Sequence, residues 1–382
     1  MGLKVLHISK YYYPFSGGTE QIARDVVLAL KEVPGCEQLI FAFDHGAPKE
    51  SKASRDNVDG IDVIRCRCFA KISSQSVSAT YGKRLRAAVE EFRPDVVILH
   101  YPNPFGTHYL MKILKKYPQI KLVTYWHLDI VKQKFLKIFF KGQNRRLIGR
   151  SDKIIATSPN YVEGSEWLSS ARGKCVVVPN CIDENRLVVD DEVLAKAEEL
   201  KKENEGKTVC LAVGRHVEYK GFKYLIEASK ELGDEFVIGI TGKGPLTEEL
   251  KAQAAGDDKV KFLGLVSDVE LRARLLTCDI FCFPSITKNE AFGLALAEGM
   301  YFGHPAVTFT IEGSGVNYVS IDGKTGIECP NGDSHAYAEA LKKLSKDSEL
   351  RERYGEAAQA RVVENFTFEK FKKNITDLVA GL

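Results

Sequence analysis

No stretch of the 382 residues comes near 18 consecutive apolar side chains, so no segment is long enough to cross a bilayer as a helix. The apolar run before Lys10 spans five residues, too short for a secretory leader. No D-x-D carboxylate pair occurs and no histidine or aspartate cluster has metal-ligand spacing, which argues against a metal-held phosphate site. The nine cysteines are odd in number and scattered. Cys278 and Cys282 flank a strand with no histidine or second cysteine pair nearby, so zinc is not expected. Most of the cysteines sit in apolar runs and are expected as small reduced core residues of a cytoplasmic protein. The turn Thr241-Gly242-Lys243-Gly244 lacks the spacing of a dinucleotide loop. Solenoid repeats, low-complexity tails and nucleic-acid recognition motifs are also missing.

What is present is a soluble globular composition, 44% hydrophobic and 27% charged, and enough chain for about two domains. The net charge of +3 conceals an asymmetry. Residues 1–175 hold 28 basic side chains against 16 acidic ones, and residues 176–382 hold 26 against 35. The acidic second half would repel a phosphate backbone, so a nucleic-acid partner is not expected. Within 112–150, eleven basic residues meet a single acid, Asp129. The segment 132–150 interleaves bases with Phe135, Leu136, Ile138, Phe139 and Phe140. It reads as a basic amphipathic helix, suited either to an anionic membrane surface or to packing one face on the core.

Short Val- and Ile-rich runs alternate with longer amphipathic segments. In the first half they fall at 4–9, 38–43, 61–66, 95–100, 121–126 and 153–158. In the second half they fall at 175–179, 209–214, 236–241, 260–264, 280–284 and 306–310. Near-continuous apolar strands followed by helices predict parallel sheets covered on both faces. Twelve strands exceed one typical sheet, so two doubly wound α/β domains are expected, dividing near 176–191. Ligands of such sheets bind outside the carboxyl ends of the strands, which directs attention to a cleft between the domains.

The stretch KNEAFGLALAEGM (288–300) reads as an apolar helix with a carboxylate at either end, Glu290 and Glu298. The opening turn Ala291-Phe292-Gly293-Leu294 would leave backbone N–H groups free for an anion. Each carboxylate is a good acceptor for paired hydroxyls. The geometry suits a nucleotide sugar, with the diphosphate at the helix start and a glutamate for each sugar ring. Taken alone, Glu290 could equally complement the helix dipole and Glu298 merely solvate the helix. Arg215 and Lys220 follow the strand 209–214, an Arg fork and a Lys point charge fit to clamp a diphosphate, or else two solvated cations. Gly17-Gly18 precede a helix with Glu20 in its first turn, where backbone can approach a phosphate or simply turn. His127 closes the strand 121–126, placed to bond a sugar hydroxyl or to serve the core.

Together these stretches resemble the retaining GT-B glycosyltransferases, in particular family 4. The resemblance rests on E-x7-E (Glu290 to Glu298), G-R-x4-K (Gly214, Arg215, Lys220), the Gly17-Gly18 loop and T-x-x-H-x-D (Thr124, His127, Asp129). The segments TSPNY (157–161), VVPNCID (177–183), SGVN (314–317) and GKTG (323–326) extend it along the chain. It implies two Rossmann-like domains facing each other across a cleft. Residues 1–178 with a returning segment 364–382 would bind the acceptor, and residues 179–363 the nucleotide sugar. By the same resemblance Glu290 would hold the donor sugar, Glu298 the ribose, and Arg215 and Lys220 the diphosphate. Ala291, Phe292, Gly293 and Leu294 would border the donor, Gly17 and Gly18 would line its phosphate side, and His127 would lie near the transferred sugar.

The activity implied is metal- and cofactor-free transfer of a hexosyl residue, with retention, from GDP-mannose or a UDP-hexose. The acceptor would be a hydroxyl of a saccharide or lipid-linked saccharide in surface glycan synthesis. The first half, through 132–150, would touch the inner membrane face peripherally. A nucleotide-sugar 2-epimerase of the same architecture and a non-catalytic sugar-nucleotide-binding subunit are the alternative readings. The intact set of Arg215, Lys220, Glu290 and Glu298 and the basic first half favour transfer.

Overall fold

The Val- and Ile-rich runs form strands in the computed structural model, which describes residues 2–15, 17–44, 51–72, 75–129 and 134–382, with backbone alone at 72, 75 and 134–139. The first sheet contains β1 (Lys4–Ile8), β2 (Glu37–Phe43), β3 (Ser54–Val58), β4 (Ile61–Cys66), β7 (Val96–Tyr101), β8 (Lys121–Trp126), β9 (Lys153–Ala156) and β10 (Cys175–Val177). Their order is β10-β9-β8-β7-β1-β2-β4-β3. The short hairpin β5 (Ala70–Ile72) and β6 (Gln75–Val77) stands apart from it. The second sheet contains β11 (Thr208–Val213), β12 (Phe236–Thr241), β13 (Val260–Gly264), β14 (Ile280–Phe283), β15 (Ala306–Phe309) and β16 (Gly326–Cys329). Its order is β13-β12-β11-β14-β15-β16. In both, strand order reverses near the middle, as in doubly wound sheets.

All pairings in the two sheets are parallel except β3 with β4. Val97, Ile98 and Leu99 in β7 are wholly buried, as a strand covered on both faces requires. Twelve strands occupy the predicted runs, and β3, β5, β6 and β16 are additional. The polar β3 (SRDNV) has no apolar pattern to reveal it, yet its hairpin to β4 turns at Asp59 and Gly60, both with positive φ, the usual Asp-Gly signal.

The chain divides into two compact units, Met1–Thr157 with Ser165–Val178 and Phe371–Leu382, and Ser158–Gly164 with Pro179–Lys370. In the first, the end of the helix Phe368–Ala380 buries Phe371, Ile375 and Val379, one face at four-residue spacing, and Lys372 pairs with Glu32 at 2.7 Å. In the second, a continuous core runs from Cys210 and Ile238 on the sheet to Tyr337, Leu341 and Leu344 of the helix Ser334–Lys346. The nine cysteines are free thiols. Among the described residues no helix is long and apolar enough to cross a membrane.

The predicted helix from Glu290 onward begins only at Leu294 and ends at Tyr301. Residues 288–293 form turns and loop, in which Glu290 N–H bonds to the Thr287 carbonyl at 3.0 Å. Gly293, the residue before the helix, has φ +97, and a Cβ there would meet the Phe283 ring at 3.2 Å. A residue obliged to take that conformation cannot continue a helix backwards, so the carboxylates are not spaced along one helical axis.

Candidate active site

In the second unit the chemistry collects beyond the carboxyl ends of β11 and β14. The chain leaves β11 at Val213, passes Arg215, and makes one 3-10 turn, Glu218–Lys220. Gly221 ends that turn with φ +65, and a Cβ would lie 2.0 Å from the Pro284 carbonyl oxygen. Only glycine lets this backbone rest against the loop that follows β14. The loops are tied again by Ile286 N–H to the Tyr219 carbonyl at 2.9 Å.

That contact delivers Lys220 to Glu290. Lys220 Nζ and Glu290 Oε2 form an ion pair with both side chains 13% exposed. Ser285 Oγ donates to the same carboxylate oxygen at 3.3 Å, and Lys220 Nζ stands 4.7 Å from the centre of the Phe283 ring. The Glu290 carbonyl accepts from Ser314 Oγ, which fixes the loop from the other side. Arg215, on the same loop as Lys220, is exposed and makes no side-chain hydrogen bond or ion pair among the described residues. Next to it, His216 is buried, with Nδ1 2.9 Å from Thr247 Oγ1 and Nε2 without a partner among the described residues.

Glu298 lies within the helix Leu294–Tyr301, half-buried. It accepts no hydrogen bond among the described residues. Burial pushes its carboxyl up to about 7, Arg186 opposes that rise, and Asp183 and Asp268 add to it. Ala291 and Leu294 are half-buried, and Phe292 packs edge-on to Phe366 at 5.3 Å in the core.

In the first unit Gly17 precedes the helix Gly18–Lys31. A Cβ on Gly17 would meet Glu20 Oε2 at 2.5 Å, whereas one on Gly18 would meet nothing within 4 Å. Glu20 is buried beneath the helix start, its carboxyl raised by burial and held back by its own backbone N–H and by Lys10. His127 follows β8, 6% exposed, stacked on Tyr125 at 4.4 Å. Burial holds it neutral, down to about 3. Its Nε2 lies 3.0 Å from Nδ1 of His100, a residue of β7 that no sequence motif marks. Asp129 is buried and its Oδ1 accepts from Trp126 Nε1 at 2.9 Å and Ser165 Oγ at 3.0 Å, which anchors the turn after β8.

The predicted basic helix is the helix Lys134–Arg150; residues 132 and 133 of that segment lie outside the described residues. It buries Asn144 and Leu147 and leaves Lys141, Arg145 and Arg146 exposed. Between it and the helix Pro104–Leu114 runs a groove of about 660 Å³. Pro104, Phe105, Met111 and Phe140 form its apolar floor, with His108, Lys112, Lys115 and Arg146 at its edge. Burial, Lys112 and Arg146 all lower the pKa of His108. Elsewhere, the exposed trio Glu231, His335 and Glu339 could hold an ion, although His335 already pairs with Glu231 at 2.6 Å and Glu339 with Lys342 at 2.8 Å.

Two α/β units with parallel sheets and loop chemistry at the strand ends match solved structures over the whole chain. Anabaena HepE in complex with UDP and glucose superposes with a TM-score of 0.78 at 18% identity, covering 100% of both chains. Sucrose-phosphate synthase of Thermosynechococcus elongatus superposes with a TM-score of 0.80 at 17% identity, covering 99% of this chain and 98% of that one. This is the GT-B glycosyltransferase fold.

The sequence carries the assignment further. Residues 16–186 match Glycosyltransferase Family 4 and residues 195–361 match Glycosyl transferases group 1. The O-antigen chain mannosyltransferase C of Escherichia coli is 31% identical over 96% of this chain and 95% of its own length. The D-rhamnosyltransferase WbpZ of Pseudomonas aeruginosa is 32% identical over 96% of this chain and 92% of its own. The chain belongs to the family 4, group 1 glycosyltransferases, and it is an enzyme of that class.

Proposed function

We propose that this glycosyltransferase moves a hexosyl residue, with retention of anomeric configuration, from GDP-mannose or a UDP-hexose to a hydroxyl of a surface-glycan acceptor. The observation that carries the reading is the Lys220–Glu290 pair. A cation and a carboxylate that neutralise each other in the free protein are the two groups a nucleotide sugar calls on, one at its diphosphate and one at its hexose hydroxyls. When donor binds, Lys220 turns to the diphosphate beside Arg215, and Glu290 is released to accept from the sugar. Glu298 takes the ribose hydroxyls, and the backbone from Ala291 to Leu294 borders the donor. Gly17 and Gly18 border the phosphates from the first unit, where the missing side chain at Gly18 leaves room.

Charge on the departing nucleoside diphosphate is balanced by Arg215, Lys220 and backbone N–H groups, a donor set sufficient without a metal ion. His127, neutral, hydrogen-bonds the transferred sugar. Since no side chain among the described residues stands out as a covalent nucleophile, the acceptor hydroxyl attacks from the face the leaving group vacates: its oxygen bonds the anomeric carbon as the bond to the diphosphate oxygen breaks, and that departing oxygen takes the hydroxyl proton. The first unit receives the acceptor and the second the donor.

The names of the Escherichia coli and Pseudomonas aeruginosa relatives support a mannose-like sugar and an O-antigen-type product. The groove between the helices Pro104–Leu114 and Lys134–Arg150 supports peripheral contact with an anionic membrane holding a lipid-linked acceptor. Apolar floor and basic edge match acyl chains and phosphates.

The test is nucleotide release from a panel of UDP-, GDP-, ADP- and dTDP-sugars in EDTA, with and without a membrane lipid extract, beside Glu290→Ala. Release from one donor, raised by extract and lost in the variant, supports the reading. Interconversion of one sugar nucleotide with its epimer, and no release, overturns it in favour of an isomerase.

A further inference from the structure

Three buried histidines lie in a row across adjacent strands of the first sheet. His7 in β1 stacks on His100 in β7 with ring centres 6.3 Å apart, and His100 stacks on His127, just past β8, at 5.3 Å. All three are neutral. Burial lowers His7 to about 4 and His127 to about 3, and it lowers His100 well below its ordinary value, with His127 and His7 adding to the effect. A neutral imidazole carries one proton on one of its two nitrogens, and its hydrogen-bond partners decide which.

At His7 the choice is legible. Its Nε2 lies 2.8 Å from Gln38 Oε1, and Gln38 Nε2 donates to the Val27 carbonyl at 3.0 Å, so Gln38 turns its oxygen toward the ring. His7 donates from Nε2, and its Nδ1, buried without a partner among the described residues, is a bare lone pair. His100 presents the same problem with the nitrogens exchanged. Its Nε2 is buried without a partner among the described residues, while Nδ1 lies 3.0 Å from His127 Nε2. A buried N–H left unpaired is rarer than a buried acceptor left unpaired, because the donor forfeits its one bond to water outright. The proton of His100 therefore belongs on Nδ1, where it makes a bond. His127 Nε2 must accept it, and the proton of His127 is left on Nδ1, to which no described residue offers an acceptor but which, unlike Nε2 of His100, is open to solvent.

We infer that His100 is a positioning residue that fixes His127 in the Nδ1–H tautomer, so that the imidazole meets its ligand as a neutral hydrogen-bond donor and not as a base. The kinetic consequence rests on the proposed role of His127 in sugar transfer; the tautomer itself does not. An N–H open to solvent suits a sugar hydroxyl oxygen or an oxygen gaining charge, and it excludes His127 as the acceptor of the attacking hydroxyl's proton.

Two measurements separate these layers. In the first, 15N shifts of the histidine-labelled whole protein are read near neutral pH, with His127 assigned by its disappearance in His127→Gln. Protonated Nδ1 and bare Nε2 at His127 are expected, and a protonated Nε2 there would overturn the inference. In the second, His100→Asn, whose amide can still donate near the Nδ1 position, is compared with His100→Leu, which cannot. Turnover should fall about 10- to 100-fold in the leucine variant with donor KM nearly unchanged, by analogy with the loss when the partner orienting a metal-ligating imidazole is removed. The asparagine variant should recover most of it. Equal loss in both variants, each with the wild-type melting temperature, overturns the positioning role. If no donor is turned over at all, the transferase reading fails while the 15N shifts still decide the tautomer.

Discussion

Lys220 and Glu290 come from loops 70 residues apart in sequence, yet Nζ and Oε2 pair directly, each side chain 13% exposed. Neither can be removed without leaving its partner half-buried and uncompensated. Lys220→Met and Glu290→Gln are each expected to lower kcat by about 100- to 1,000-fold, the loss seen when one charge-stabilising group is taken from an active site. In urea unfolding the double variant should be less destabilised than the sum of the singles, because they share one interaction. A Lys220→Met enzyme with wild-type turnover would remove the pair from the mechanism.

Gly221 sets up that pairing, and its replacement is a test of the loop alone. Its φ is +65, and an added Cβ would stand only 2.0 Å from the Pro284 oxygen, so Gly221→Ala must shift one loop away from the other. The expected cost is about 1–3 kcal/mol in stability, from strain and lost contact. Turnover should fall alongside, as Lys220 loses its register with Glu290. Chemical denaturation and nucleotide release on the same preparation measure both; unchanged stability would mean the loops give way freely.

Much of the fold is readable in the sequence because burial on both faces writes near-continuous apolar runs, and the twelve anticipated strands all carry them. The four that escape such a reading are short or polar: β3 offers only its Asp59-Gly60 turn, and β16 is Gly326–Cys329. At the site, Glu290 and Lys220 are visible as residue types after strands. The helix start is misplaced because Ala291 and Phe292 continue an apolar pattern that only the positive φ of Gly293 interrupts. His100 goes unnoticed because a histidine one strand over from His127 has no spacing along the chain to mark it. Its significance comes from parallel register, with His100 opposite Tyr125 and two residues short of His127.

Glu298 makes stability depend on pH in a direction opposite to most carboxylates. Its pKa is raised from 4.5 to about 7 by burial, so the folded protein holds a proton that the unfolded chain gives up. Between about pH 4.5 and 7 the folded state binds more protons, and stability therefore falls as pH rises through that window, by up to about 1.4 kcal/mol per pH unit. Glu298→Gln should lack this component and be more stable than wild type at about pH 8. If Glu298 also takes the ribose, nucleotide affinity in the wild type should rise as the carboxyl ionises near pH 7 and stay flat in the variant. Calorimetric melts and nucleotide titrations at pH values from about 5 to about 8 check the two separately.

The groove beside the helix Lys134–Arg150 has an electrostatic signature that salt and charge reversal can expose. Lys112, Lys115 and Arg146 stand at the edge of an apolar channel, and none of them makes an ion pair among the described residues. Each such cation near an anionic surface contributes about 1 kcal/mol, and the attraction fades beyond a Debye length. Lys112→Glu with Lys115→Glu should therefore reduce sedimentation with vesicles containing anionic phospholipid by about 10-fold or more, leaving melting temperature and nucleotide binding as in wild type. Raising salt from about 50 to about 500 mM should mimic the variant if charge dominates, and leave part of the binding if Phe105, Met111 and Phe140 insert among the chains. Equal partition of the wild type onto neutral and anionic vesicles would assign these cations to solvation alone.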